Sequence, residues 1–187
     1  MIGFGNNNGA TTGGNIGDAN KLLKLDLTGK VSPSAIPSVL ITKWVKTVLQ
    51  NVATGVSATV SFDSPQRNDL AITPVSGVFT INKTGRYNLS YSIKATVANS
   101  TGPNISSFTS DLILNGVGSG ILSQRENYYF PGNGSQDPQF SPSTTYFLTS
   151  GDTLRLNVFL AGVTSVNILG TALPNIFTSI TIAYLGE

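Results

Sequence analysis

Between residues 77 and 92 the chain alternates apolar and polar positions on both sides of a short turn. Val78, Phe79 and Ile81 precede Lys83-Thr84-Gly85, and Tyr87, Leu89, Tyr91 and Ile93 follow on one face of the next segment. Gly85 suits the turn because glycine takes positive φ without a Cβ clash. Period-2 patterning around such a turn predicts a β-hairpin or a β-corner. The same alternation recurs downstream. It predicts strands near 56–63, 77–82, 86–97, 107–115, 119–125, 144–149, 153–160, 165–169 and 176–185. Asn115-Gly116, Gly132-Asn133-Gly134 and Gly151-Asp152 supply turns between them. Residues 41–53 fit a strand or, through Trp44, Val45, Val48 and Leu49, one face of a short helix. Their Ile, Thr, Val and Trp content favours strand. Residues 126–143 form the longest unpatterned stretch, and long loops in compact domains are often functional.

Four segments, taken in order, carry a resemblance. They are GVF…GRYNLSYS, Leu112-Ile113-Leu114-Asn115-Gly116, Phe147-Leu148-Thr149-Ser150-Gly151-Asp152-Thr153-Leu154-Arg155-Leu156, and the aromatic-led run Phe177 to Tyr184. Together they resemble the C1q/TNF-like trimeric jelly-roll family over roughly residues 54–187. The expected fold class is therefore all-β, a jelly-roll β-sandwich preceded by an extended N-terminal arm. The resemblance implies a homotrimer. It places Tyr91 and Tyr184 toward a threefold axis, with Trp44 as a further core or interface aromatic. Phe79, Tyr87, Phe159 and Phe177 are expected to fill the core.

The first 53 residues read differently. Residues 1–20 are rich in Gly, Asn and Thr and bury too little apolar surface to offset chain entropy. Ile2 and Phe4 interrupt the polar run, so this is either a disordered tail or a peptide that orders on docking. In residues 21–53, Leu23, Leu25 and Leu27 alternate with Lys24 and Asp26, and Ser32-Pro33 and Ile36-Pro37 keep the following chain extended. The segment resembles the L-x-x-D-x-x-G-K linker of attachment regions in phage fibres and related virion appendages. Ile2, Phe4, Leu23, Leu25 and Leu27 are the candidate particle anchors, and 54–187 is the expected head.

Composition narrows the chemistry. The chain contains neither His nor Cys, which removes Ser-His and Cys-His nucleophiles and the common zinc sites. Disulfides are excluded too, so stability has to come from the core and from subunit burial. Carboxylates are scattered singly, without the close pairs of glycoside hydrolysis. Asp63, Asp69, Asp111, Asp137 and Asp152 show no EF-type calcium spacing, and Asp152 is expected to accept hydrogen bonds in its own turn. No cofactor is expected. Lys and Arg are dispersed, so no nucleic-acid footprint appears. No apolar stretch reaches the ~20 residues of a membrane span, and the N-terminus lacks the basic and apolar regions of a secretion signal. The five N-x-S/T sequons follow from abundant Asn, Ser and Thr.

The expected function is that of a non-enzymatic virion structural protein: a trimeric head fibre, spike or decoration protein, located on the assembled particle. Its arm would bind a capsid or tail protein. Its head would project outward and engage a host glycan or receptor by avidity. Tyr128, Tyr129, Phe130, Asn133 and Asp137 form the candidate receptor-facing loop. A spore-coat or bacterial surface protein is the alternative, weakened by the absent Gly-X-Y stalk. A carboxylate-dependent depolymerase ranks below it.

Overall fold

The alternating segments fold into two antiparallel sheets packed face to face. In a computed structural model, the described residues are 39–97, 105–116, 118, 120–129, 137–162, 165–170 and 177–187. The eight-stranded sheet contains β1 (Leu40–Val45), β2 (Gln50–Ala53), β4 (Ser64–Asn68), β6 (Gly85–Val97), β9 (Gln139–Phe140), β10 (Ser143–Leu148), β12 (Ser165–Ile168) and β13 (Ser179–Gly186). Its main path runs β2-β12-β6-β13-β1-β4. The five-stranded sheet contains β3 (Ser57–Thr59), β5 (Val78–Thr80), β7 (Ile105–Leu114), β8 (Leu122–Tyr129) and β11 (Thr153–Ala161).

β6 organises the larger sheet because it is long enough to serve four partners. Residues 86–92 pair with β13 and residues 95–97 with β12. On the opposite edge, residues 85–90 pair with β10 and 93–94 with β9. β5 pairs with β11 in the other sheet. The turn at Lys83–Gly85 is thus a corner between sheets, not a hairpin.

The inner faces form one core. Phe79, Tyr87, Leu89, Ile93, Phe108, Leu112, Leu148, Leu154 and Leu156 are buried in it. Phe159 and Phe177, expected beside Phe79 and Tyr87, are only half-buried. Phe159 follows the parity of Arg155 and Asn157, which turns it to the outer face of β11. Phe140 takes up part of the core instead, stacked on Phe108 with ring centroids 5.5 Å apart.

Two sequence boundaries shift. β1 pairs with β13 over Leu40–Val45, and β2 pairs with β12. Leu40–Val45 and Gln50–Ala53, grouped with the arm by sequence, are therefore sandwich strands, and Val39–Glu187 is one compact unit. β8 also runs to Tyr129, so the unpatterned stretch begins later than residue 126 and contains β9.

Turn chemistry follows the sequence. Asp152 Oδ2 accepts the Thr149 amide at 2.7 Å. Asn115, at φ 52° before Gly116 at φ 70°, ties this turn to the next hairpin. Its Nδ2 donates to Asp152 Oδ1 at 2.8 Å, and its Oδ1 accepts the Thr153 amide at 2.8 Å.

One ionisable side chain sits inside. Lys46 is 1% exposed. Its Nζ donates to Ser61 Oγ at 2.9 Å and Ser61 O at 3.3 Å. Burial holds its pKa below the ordinary lysine value, against an opposing pull from Asp63. Between that lowered value and 10.5, the unfolded chain binds a proton that the folded chain does not. Folding stability therefore rises with pH through this window. Lys46→Met removes the cost of the buried amine and is expected to stabilise the protein by about 1 kcal/mol at neutral pH. The gain should fade toward pH 10.5. Denaturant melts of both proteins across this range check it. A constant difference between them would refute the account.

Candidate assembly surface

Strand parity fixes which side chains leave the core. On β6, Tyr87, Leu89, Tyr91 and Ile93 point inward, so Arg86, Asn88, Ser90 and Ser92 point outward. Registers with β10, β13 and β1 extend that outer face in rows. One row is Phe147–Arg86–Gly186. The next is Thr145–Asn88–Ala183–Ile41, followed by Ser143–Ser90–Thr181–Lys43. Most of these side chains are small, so the face is flat.

Its end near the start of β6 is apolar and open. Phe147 is 56% exposed there and Leu185 50%, while Tyr146, opposite Tyr87 and so of inward parity, is 40% exposed at the strand edge. Leu185 is displaced from the sheet by a bulge between Tyr184 and Gly186. Arg86, Thr145, Tyr146 and Phe147 line an open depression of about 400 Å³. Among the described strands, β10 pairs with β6 alone. An exposed aromatic beside a flat field of small side chains is the kind of apolar patch that a partner would cover.

The aromatics expected at a threefold axis are buried within the single chain. Tyr91 is 3% exposed, Trp44 7% and Tyr184 8%. Tyr91 Oη bonds Ser110 Oγ at 2.9 Å and donates to Ser110 O at 3.1 Å, across the two sheets. Burial pushes its pKa up to about 12. Trp44 Nε1 donates to Ile72 O at 3.0 Å. The Tyr184 ring meets Tyr87 edge-on at 5.2 Å. All three are internal to one chain because they share the inward parity of the core, and little of them remains for a partner. Among the described strand residues of this sheet, Phe147 and Leu185 are exposed apolar groups outside the core face, and Tyr146 is exposed at the edge on the parity of Tyr87; alternation alone does not single them out.

The other expected sites are only partly in view. Ile2, Phe4, Leu23, Leu25 and Leu27 fall outside the described residues, as do Phe130 and Asn133. Tyr128 and Tyr129 are described as backbone at the end of β8, paired with Ser106 and Ile105. Asp137 lies against β6, accepting from Thr96 Oγ1 at 2.9 Å and 3.9 Å from Lys94 Nζ.

Asp63 and Asp69, weighed as calcium ligands, serve as loop acceptors. Asp63 takes the Thr47 amide and hydroxyl, both at 2.8 Å. Asp69 takes Arg67 Nη2 at 2.6 Å and the Ile41 amide at 3.1 Å. Arg67 holds the Asp69 pKa below its usual value. Among the described residues, no group of three or more His, Cys, Asp or Glu is placed to hold a metal ion.

No protein-family model matches the chain, and no curated protein matches it. Among solved structures, Eiger TNF from S. frugiperda is similar, with a TM-score of 0.61 and 14% sequence identity. The match covers 80% of this chain and 94% of that one. At such low identity the likeness concerns architecture. With two antiparallel sheets closed on one core, it shows that this chain has a TNF-like jelly-roll fold.

Proposed function

We propose that the chain is a homotrimeric head of a virion appendage, assembled through the outer face of its eight-stranded sheet. The observation that carries the assembly reading is the exposed pair of Phe147 and Leu185 beside a flat field of small side chains. A single copy leaves that pair in water, whereas assembly through this face would cover it. The TNF-like architecture supports the same reading.

The virion setting is supported by the sequence of the arm, with its Leu23, Leu25, Leu27 and Gly29-Lys30 pattern. In this reading Ile2, Phe4 and those leucines anchor the chain to a capsid or tail protein. The head projects outward and serves structure and recognition, not catalysis. Three heads on one particle site multiply weak contacts with a host glycan or receptor, and Tyr128, Tyr129, Phe130, Asn133 and Asp137 are the candidate residues for that contact.

Solution mass tests the assembly reading directly. The full chain and a chain beginning at Val39 are both expected to be trimers. A monomeric head with a trimeric full chain would move assembly to residues 1–38. Monomers in both would overturn the trimer. Finding the chain in purified particles tests the virion setting, and its absence from them would overturn it.

A further inference from the structure

Lys46 and Ser61 form a pair that the assembly surface does not use. Ser61 is exposed, whereas the amine touching it is buried. The Ser61 Oγ–Lys46 Nζ distance is 2.9 Å, within the range that links a hydroxyl nucleophile to its base. Three contacts of Gln50 fix the geometry. Gln50 Oε1 accepts the Ser61 amide at 3.1 Å and the Ser61 hydroxyl at 3.3 Å. Gln50 Nε2 donates to Thr59 O at 2.8 Å, which holds the glutamine in place. The lysine backbone is pinned by its own amide, which donates to Thr178 O at 3.0 Å.

We propose that Ser61 and Lys46 are a nucleophile–base pair that makes Ser61 a site of covalent modification by small electrophilic acyl or phosphonyl compounds. In its neutral form the amine keeps an N–H for Ser61 O, and its lone pair receives the Ser61 hydroxyl once that hydroxyl turns from Gln50 Oε1 toward Nζ. Ser61 Oγ attacks the electrophilic carbon or phosphorus, and its proton passes to Lys46 Nζ. With a fluorophosphonate, the new bond is O–P, the P–F bond breaks, and fluoride leaves with the electron pair. The proton stays on Nζ as ammonium until solvent removes it. Burial favours the neutral amine that this step requires.

The test is labelling of the full chain with a fluorophosphonate at mildly alkaline pH, followed by peptide mapping. Ser61 is expected to be the principal labelled serine, and Ser61→Ala should abolish that label. Lys46→Met and Lys46→Arg should each slow Ser61 labelling by about 100-fold, the lower end of what a positioned base contributes. Lys46→Arg retains a cation of similar length but cannot supply a neutral base. Melting temperature and solution mass confirm that each variant is folded. Labelling spread evenly over serines, or unchanged in folded Lys46→Met, would overturn the proposal.

Discussion

Phe147→Arg is expected to convert the assembled protein to monomers while leaving the single-chain fold nearly as stable as before. Phe147 is 56% exposed, so its replacement leaves no cavity in the core. The cost within one chain is a second cation across from Arg86, its cross-strand partner. Like charges directly opposite on a sheet cost at most about 1 kcal/mol. In an assembly the balance changes. Each interface loses an aromatic anchor and gains a guanidinium without a counter-charge, and an unpaired charge buried there costs about 3–5 kcal/mol. That amount alone weakens association by a factor on the order of 10² to 10³. Phe147→Ala, which removes contact without adding charge, should weaken association by less. Val75→Arg is the control. Val75 is 75% exposed and bridges Val78 in the other sheet, so its charge should not affect assembly. Analytical ultracentrifugation over a concentration series checks all three. If Phe147→Arg stays trimeric, the flat face of the eight-stranded sheet is not the interface.

The reason Phe147 had to be read from the structure also shows how far sequence reasoning reaches. β6, β11 and β13 were legible because each alternates over eight or more residues with one wholly apolar face. That alternation divides the side chains into two sets. It also settles where Tyr91 goes. Tyr91 shares parity with Leu89 and Ile93, so it follows them into the core, while Ser90 and Ser92 face out. Trp44 and Tyr184 obey the same rule through their pairings with Ile180 and Tyr87. An interface on the outer face therefore uses the opposite parity, and most of that parity is Ser, Thr and Asn. The apolar exceptions cluster at the edge strand and at the bulge, where neither position is fixed by alternation.

Other elements lacked a local signal. β4, Ser-Pro-Gln-Arg-Asn, has no apolar residue and contains Pro65. It exists because β1 offers it backbone partners and because a sheet edge tolerates proline. β1 and β2 carry strand-forming residues, but they follow a proline-punctuated segment. Only long-range pairing with β13 and β12 assigns them to the sandwich. The Lys46–Ser61 contact joins residues fifteen apart and has no sequence motif. Excluding His and Cys chemistry left a lysine base unconsidered.

Gly85 is the position where a single added methyl should cost most. It begins β6, opposite Leu148, and has φ 150°. A Cβ there would lie 2.5 Å from Gly186 O and 2.6 Å from Cε2 of Tyr184. The turn explains part of this requirement, and the close approach of β13 explains more. Neither obstacle yields easily, because Gly186 pairs with Arg86 and the Tyr184 ring is held against Tyr87. Steric overpacking costs about 1–3 kcal/mol, and a non-glycine residue in this region of φ adds roughly 1–3 kcal/mol. Gly85→Ala is therefore expected to destabilise the protein by about 3 kcal/mol, lowering the melting temperature by roughly 6–12 °C. Gly116→Ala gives the contrast. That glycine also has positive φ, but no atom lies within 4 Å of its added Cβ, so about 1 kcal/mol is expected. Chemical denaturation of both variants separates crowding from backbone strain, and equal losses would leave only strain. Because Arg86 and Gly186 adjoin the exposed Phe147, Gly85→Ala should also weaken assembly under conditions where the chain remains folded. The corner that turns the chain from one sheet into the other would then also set the geometry of the surface that joins the copies.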